Sequence, residues 1–232
     1  MMMSVEEVLL MCFSAEASFI GGSVLTTIGI LAIRKNREPS QRLFATMPLV
    51  FGLQQLAEGF VWIALESGQQ HPLLKTSTIA FLIAALLIWP TFVPLSVRLM
   101  ETDRRRRPIL NGLTALGGLT SLAYLSGLLR YEVFAQISNL HINYGVDAPQ
   151  SYLRIAYLAY LAATLLPFLF TTKRRVWLLG AVVTVSYIIA AYFYTEQLLS
   201  VWCFFAAVTS CVVWWIVGEQ PVKTSETISA NA

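Results

Sequence analysis

The stretch of sequence that decides the fold is residues 76–97, which read TSTIAFLIAALLIWPTFVPLSV and contain no charged side chain. The hydrocarbon core of a bilayer is about 30 Å thick, so an α-helix needs about 20 apolar residues to cross it. This stretch is long enough, and its nearest charges are Lys75 and Arg98 at its two ends. Residues 76–97 are therefore predicted to form a membrane-spanning helix.

Six further stretches of similar length and character occur along the chain. Backbone polar groups inside a bilayer must be satisfied internally, so helices and not open strands are expected. The seven predicted spans, in chain order, are 17–33, 43–65, 76–97, 109–129, 152–171, 176–195 and 199–217. The composition agrees, since 56% of the residues are hydrophobic and 12% are charged. The sequence predicts an all-α fold, a seven-transmembrane-helix bundle.

The basic residues are distributed unequally between the two ends of this predicted bundle. Of the sixteen Lys and Arg residues, three fall at one end, namely Lys75, Arg130 and Arg154, and the others fall at the opposite end. Cytoplasmic connectors carry an excess of Lys and Arg, which predicts an outside N-terminus and a cytoplasmic C-terminus. The run Arg104 to Arg107 is interpreted as a topology signal that faces anionic lipid headgroups, so no nucleic-acid partner is expected.

This pattern divides the chain into an N-terminal extension (1–12), a seven-helix transmembrane domain (13–218) and a flexible cytoplasmic tail (219–232). The tail is short and polar, and no catalytic or signalling domain is expected in it. The longest connector, residues 130–151, is predicted to lie outside. Its β-branched and aromatic residues on both sides of Ser138 predict a small outer β-hairpin, and the alternative is an extended loop on the headgroups.

Glu58 is the one clear ionisable residue inside a predicted span. An ionisable side chain in a bilayer costs free energy, so we predict that Glu58 has a functional role. Gln54 and Gln55 precede it by about one helical turn, and Trp62 continues the same face outward. A carboxyl group in this position suits ligand binding, proton exchange or acid–base catalysis.

The candidate ligand-binding residues lie in or near the outward half of the predicted bundle. They are Glu58, Gln54, Gln55, Trp62, Cys12, Glu16, Arg154 and His141. Together they predict an outward-facing polar pocket that binds or transports a small ligand. One alternative is a sensor or assembly subunit that acts through a partner membrane protein, with Glu58 tied to Arg154 or Arg130. Another is an intramembrane enzyme that uses Glu58 and Cys12. No cofactor is expected, and the two His residues lack the spacing of a metal site.

A resemblance to a known family rests on residues 11–19, which read MCFSAEASF, followed by Gln54-Gln55 and Glu58-Gly59. The chain resembles, from Met11 onward, an uncharacterised bacterial multi-span membrane family whose members open with Met-Cys-Phe-Ser. The resemblance implies a bacterial inner-membrane protein but supplies no reaction. It also implies Met11 as an alternative start, in which case Cys12 would carry a free amine beside its thiol and could act as a nucleophile.

Overall fold

The computed structural model describes residues 14–138, 141–193 and 205–217, and in these ranges the chain is mostly helical. The α-helices are α1 (Ala15–Lys35), α2 (Arg42–Ala45), α3 (Met47–Glu66), α4 (Pro72–Leu82), α5 (Trp89–Met100), α6 (Arg107–Arg130), α7 (Gln150–Leu165), α8 (Arg174–Phe193) and α9 (Ala206–Ile216). Helical segments of other types extend several of them, namely the 3-10 segments Pro39–Gln41 and Leu166–Phe170 and the π-helical segment Ile83–Ile88.

Within the described ranges, six continuous helical stretches are long and apolar enough to cross a membrane. They are Ala15–Lys35, Pro39–Glu66, Pro72–Met100, Arg107–Arg130, Gln150–Phe170 and Arg174–Tyr192. These stretches coincide with the first six predicted spans to within a few residues at each end, which confirms the predicted helices. The seventh predicted span, 199–217, lies partly outside the described residues, and its described part, α9, is an apolar helix of 11 residues.

The long helices leave many large apolar side chains on the outside of the molecule. The side chains of Leu129, Ile155 and Ile20 are 77%, 70% and 67% exposed. Soluble monomeric proteins rarely leave large contiguous apolar patches exposed to water. Such an exterior, together with the lengths of the helices, is compatible with a multi-pass membrane protein.

The helices α1 and α3 pack against each other through glycines. A Cβ atom at Gly29 would lie 2.4 Å from the backbone nitrogen of Leu49, and one at Gly52 would lie 2.6 Å from the backbone nitrogen of Thr26. No side chain fits in such a gap, so glycine allows the two backbones to approach closely. This contact fixes α3, which carries Glu58, along the length of α1.

The helical stretch that ends in α5 adopts π geometry just before Pro90. Proline has no backbone N–H and its ring clashes with the carbonyl group four residues earlier, so it disturbs regular α-helical geometry. Two carbonyl groups of the π-helical segment accept hydrogen bonds from neighbouring helices. The Tyr160 hydroxyl donates to the Ala85 carbonyl at 2.9 Å, and the Ser121 hydroxyl donates to the Leu87 carbonyl at 2.6 Å.

The strands β1 (Val133–Ser138) and β2 (His141–Val146) form an antiparallel pair. This pair confirms the hairpin predicted within residues 130–151. The hairpin packs on the helices, because β1 contacts α3 and α4. The Tyr144 ring of β2 also stacks on the Phe81 ring of α4, with ring centroids 4.2 Å apart. The hairpin therefore covers the end of α3 that is closest to Glu58.

Candidate functional site

One face of α3 carries three polar side chains close together. Gln54 and Glu58 are four residues apart and Gln55 and Glu58 are three apart, so the three are neighbours on the helix surface. Gln54 and Glu58 are buried, with 3% and 2% of their surface exposed. Buried polar groups are costly unless they are hydrogen-bonded, and three other elements supply partners to this face.

Glu58 accepts hydrogen bonds from two directions. Its Oε2 atom accepts a bond from Gln55 Nε2 at 2.8 Å, and its Oε1 atom accepts a bond from the Tyr144 hydroxyl at 3.5 Å. Gln55 Nε2 also donates to Ser18 Oγ of α1 at 3.2 Å. The Tyr144 bond is long for an O–H donor, so it is the weaker of the two bonds to the carboxyl group. Glu58 is thus connected to the hairpin directly and to α1 through Gln55.

Gln54 is bonded to α5. Trp89 Nε1 donates to Gln54 Oε1 at 2.8 Å, and the Trp89 ring stacks on the Phe51 ring with centroids 4.0 Å apart. Gln54 and Trp89 form part of the wall of a mainly apolar cavity between α3, α5, α7, α8 and α9, which has a volume of about 70 Å³. This volume is much smaller than that of most small-molecule sites, which is about 300–1,000 Å³.

A second concave surface opens beside the hairpin, and we call it the outer groove because the sequence predicts that the hairpin lies outside. It has a volume of about 940 Å³ between the hairpin, the π-helical segment and α7. Tyr124, Phe134 and Tyr144 contribute aromatic surface to its lining, and Arg154 contributes a positive charge. Tyr144 therefore lines the outer groove while its hydroxyl contacts the buried carboxyl group of Glu58.

The two arginines considered as structural partners of Glu58 do not pair with it. Within the described ranges, the ion pair that the structure contains joins Arg106 to Asp103 at 3.7 Å. Arg154 is exposed and lines the outer groove. Two of the hydrogen-bond donors to Glu58 are the neutral groups of Gln55 and Tyr144, and the described contacts do not include an arginine tie.

The remaining predicted site residues that the structure describes lie on different elements of the bundle. Trp62 belongs to the hydrophobic core of the bundle, and His141 is buried at the start of β2. Glu16 is exposed in the first turn of α1. Cys12 lies outside the described residues. Within the described part of the chain, no group of three or more His, Cys, Asp and Glu side chains is placed to hold a metal ion.

Tyr144 and Trp89 belong to the site, but the sequence did not single them out. Aromatic residues are common in apolar cores and at membrane interfaces, so neither residue type is specific in a chain of this composition. The alternation of inward and outward side chains in the predicted hairpin was the available signal for Tyr144. Its contact with Glu58 depends on how the hairpin docks on α4.

A second buried carboxyl group, that of Glu101, lies directly after α5 and is 1% exposed. Its Oε1 atom accepts bonds at 2.8 Å from the Thr102 N–H, the Asp103 N–H and the Thr172 hydroxyl. Its Oε2 atom accepts a bond from the Thr172 N–H at 2.7 Å. We call this arrangement the Glu101 clamp, because it joins the connector after α5 to the connector before α8.

The protonation of Glu101 is controlled by its surroundings. Burial raises the pKa of this carboxyl group, but hydrogen bonds from Asp103, Thr172 and Thr102 together outweigh burial and hold the pKa below its ordinary value. The clamp is therefore formed by the ionised carboxylate at neutral pH. Sequence reasoning did not identify Glu101, and the available signal was an acidic residue at the end of a long apolar stretch.

Comparison with known proteins identifies the family of the chain. The model of a family described as "Family of unknown function (DUF6629)" matches residues 11–227. The match begins at Met11, the residue from which the resemblance found in the sequence also begins. No curated protein and no solved structure matches the chain. The function is therefore argued from the geometry of the chain itself.

Proposed function

This chain belongs to the family of unknown function DUF6629, and we propose that it is a multi-pass protein of the bacterial inner membrane that binds a small ligand on its outward side. In this proposal the N-terminus is outside, the C-terminus is cytoplasmic, and the ligand occupies the outer groove. The observation that carries the proposal is the position of Tyr144, which lines the groove and donates its hydroxyl to the buried carboxyl group of Glu58.

The orientation is supported by contacts among the basic connectors. Lys35 Nζ donates to the Trp214 carbonyl at 3.0 Å, and Arg106 Nη1 donates to the Thr171 carbonyl at 2.8 Å. The first bond brings the ends of α1 and α9 together. The second joins the connector before α6 to the connector before α8. Most Lys and Arg residues of the chain lie at this end of the bundle. The hairpin follows the opposite end of α6. If the basic end is cytoplasmic, then the hairpin and the outer groove face outward.

The bond between Tyr144 and Glu58 is suited to exchange with a ligand. At 3.5 Å it is longer than an ordinary bond from a hydroxyl group and is therefore weak. A ligand group that donates a hydrogen bond can replace the Tyr144 hydroxyl, while the bond from Gln55 at 2.8 Å keeps the carboxyl group in place. A ligand in the groove can thereby contact the acid without a large rearrangement of α3.

The lining of the outer groove indicates the class of ligand. Most of the surface is apolar or aromatic, as at Leu82, Tyr124 and Phe134, and Arg154 provides a guanidinium group. An apolar lining accommodates an apolar body, and a guanidinium group favours an anionic or hydrogen-bonding end. We therefore propose a small ligand with an apolar body and one polar end.

Chemical modification of Glu58 tests whether the outer groove gives access to the carboxyl group. The probe is dicyclohexylcarbodiimide, a small apolar reagent that reacts with carboxyl groups in apolar surroundings. We expect mass spectrometry of the purified full chain to find the adduct on Glu58, and Glu58→Gln to lack it. Ile155→Trp should slow the reaction, because residue 155 is exposed and lines the groove. Leu158→Trp is the matched control, since Leu158 is exposed on the same helix and outside the lining.

Two results would count against the proposal. If Glu58 is not modified, or if Ile155→Trp and Leu158→Trp react at the same rate, the groove does not lead to the carboxyl group. If Glu58→Gln fails to accumulate in membranes while both tryptophan variants accumulate, Glu58 holds the bundle together. The alternative of a sensor or assembly subunit with a structural Glu58 would then be the better account.

A further inference from the structure

A groove with basic residues in its lining lies at the end of the bundle opposite the hairpin. This basic groove has a volume of about 470 Å³ and lies between the connector after α1, the end of α5, the start of α8 and the end of α9. Lys173, Arg174 and Arg175 line it, together with the carboxyl group of Glu38. Because three basic side chains outnumber one carboxylate, the lining has a net positive charge, which attracts an anion.

The backbone that carries these basic residues is held in place by the Glu101 clamp. The N–H and the hydroxyl of Thr172 donate to the clamp carboxylate at 2.7 and 2.8 Å. The Thr171 carbonyl accepts a bond from Arg106 at 2.8 Å, and the Lys173 N–H donates to Thr171 Oγ1 at 3.2 Å. Because this connector is already ordered, binding an anion there loses little backbone entropy.

Two tryptophans of α9 lie beside the basic residues of this end. The guanidinium carbon of Arg175 is 4.1 Å from the centroid of the Trp215 ring, and Lys35 Nζ is 4.3 Å from the centroid of the Trp214 ring. Both tryptophans are partly exposed, at 44% for Trp214 and 45% for Trp215. Tryptophan is enriched where membrane meets water, so the basic groove is expected at the depth of the lipid headgroups.

We infer that the basic groove binds the phosphate group of an anionic phospholipid. Lys173 and Arg174 are exposed, and among the described residues neither forms an ion pair, so their charges are available to a phosphate. A guanidinium group can donate two parallel hydrogen bonds to two oxygens of one phosphate group. The groove is also lined by the apolar side chains of Met100 and Ile216, which favours a lipid over a free phosphate ion. The inference shares the proposed orientation in the membrane but does not depend on the ligand site beside Glu58.

Lipid binding by the full chain in detergent micelles tests this inference. The probes are phosphatidylglycerol and phosphatidylcholine, titrated separately, with bound lipid counted by native mass spectrometry. We expect phosphatidylglycerol to bind more tightly. The double variant Lys173→Gln, Arg174→Gln should weaken its binding by about tenfold or more, because each basic residue near the surface adds to the attraction. The double variant Arg104→Gln, Arg105→Gln is the matched control, since it removes the same charge from exposed positions of the same end that do not line the groove.

The competing outcomes are distinct. Equal affinity for the two lipids, or an equal loss in both double variants, would show unspecific charge attraction and overturn the inference. Inorganic phosphate is the third probe, and we expect phosphatidylglycerol to stay bound in its presence. Displacement of the lipid by inorganic phosphate would identify a free phosphate as the occupant and overturn the lipid assignment. Modification of Glu58 by the carbodiimide is measured separately, so failure of one proposal does not decide the other.

Discussion

Replacing Glu101 by glutamine is expected to open the Glu101 clamp on one side. The amide oxygen of Glu101→Gln can keep the position of Oε1 and its bonds to Thr102, Asp103 and the Thr172 hydroxyl. The amide nitrogen then takes the position of Oε2, which now accepts a bond from the Thr172 N–H at 2.7 Å. Two donors would face each other there. The bond that joins the two connectors through the backbone of Thr172 is therefore lost.

The size of the effect follows from the number and type of these bonds. A hydrogen bond to a charged group contributes about 1.5–3 kcal/mol, and the three remaining bonds lose their charge assistance. We expect the free energy of unfolding to fall by about 3 kcal/mol. For a chain of this length, about 1 kcal/mol corresponds to about 2–4 °C in Tm, so the expected decrease in Tm is about 6–12 °C.

Thermal unfolding of the full chain in detergent, followed by tryptophan fluorescence, measures this decrease. Glu66→Gln is the matched control, because Glu66 is exposed at the end of α3 and loses the same charge. A substitution at an exposed position of this kind usually changes stability by less than about 0.5 kcal/mol. If the Tm of Glu101→Gln falls no further than that of Glu66→Gln, the clamp does not stabilise the bundle, and the reasoning is refuted.

Acid produces the same perturbation without a mutation. The hydrogen bonds hold the pKa of Glu101 below its ordinary value of 4.5. The carboxylate therefore contributes its full stabilisation above about pH 4.5, and the contribution is lost as the pH falls through the lower pKa of the folded state. The difference in Tm between the natural chain and Glu101→Gln should be constant near neutral pH and decrease in acid. A difference that increases as the pH is lowered would contradict the assigned direction of the pKa shift.

Two further predictions concern the packing around the π-helical segment. In Gly117→Ala the new Cβ would lie 1.8 Å from the Pro90 carbonyl oxygen, so we expect a loss of about 2–3 kcal/mol in thermal unfolding. Gly118→Ala, with no atom within 4 Å, should gain up to about 1 kcal/mol from helix propensity, and equal behaviour of the two variants would contradict the close contact. Tyr160→Phe removes the donor to the Ala85 carbonyl at 2.9 Å and should lower the free energy of unfolding by about 1–2 kcal/mol. An unchanged Tm would show that this bond contributes nothing.

The helices and the hairpin could be predicted because they depend on neighbouring residues. The absence of charge over residues 76–97 is a local property, and the thickness of a bilayer converts it directly into a helix length. The β-branched and aromatic residues on both sides of Ser138 are equally local. Most hydrogen-bond partners in the candidate site are instead far apart in the sequence. Tyr144 is 86 residues from Glu58 in the sequence, and Trp89 is 35 residues from Gln54.

The same limit explains why Glu101 was missed. In the sequence it is an acidic residue at the edge of a basic connector, and charged residues in connectors are mostly exposed to solvent. Its burial depends on Thr172, which is 71 residues away and approaches only because α5 ends where α8 begins. Glu58 could be identified because an acid within an apolar span is unusual by itself. An acid one residue beyond the helix is not unusual.

The two buried carboxyl groups are held by bonds of different strength, and this difference supports different roles. All four bonds that the structure places on Glu101 are 2.8 Å or shorter and come from two connectors. Each of them is made to a buried charged group and so contributes more than a bond between neutral groups, which makes the arrangement resistant to change. Of the described bonds to Glu58, the one from the hairpin is 3.5 Å long. Tyr144 also lines the outer groove, so this bond lies between the groove and the buried carboxyl group. In the proposed function, a ligand in the outer groove would replace the Tyr144 hydroxyl at Glu58, whereas Glu101 would keep its bonds.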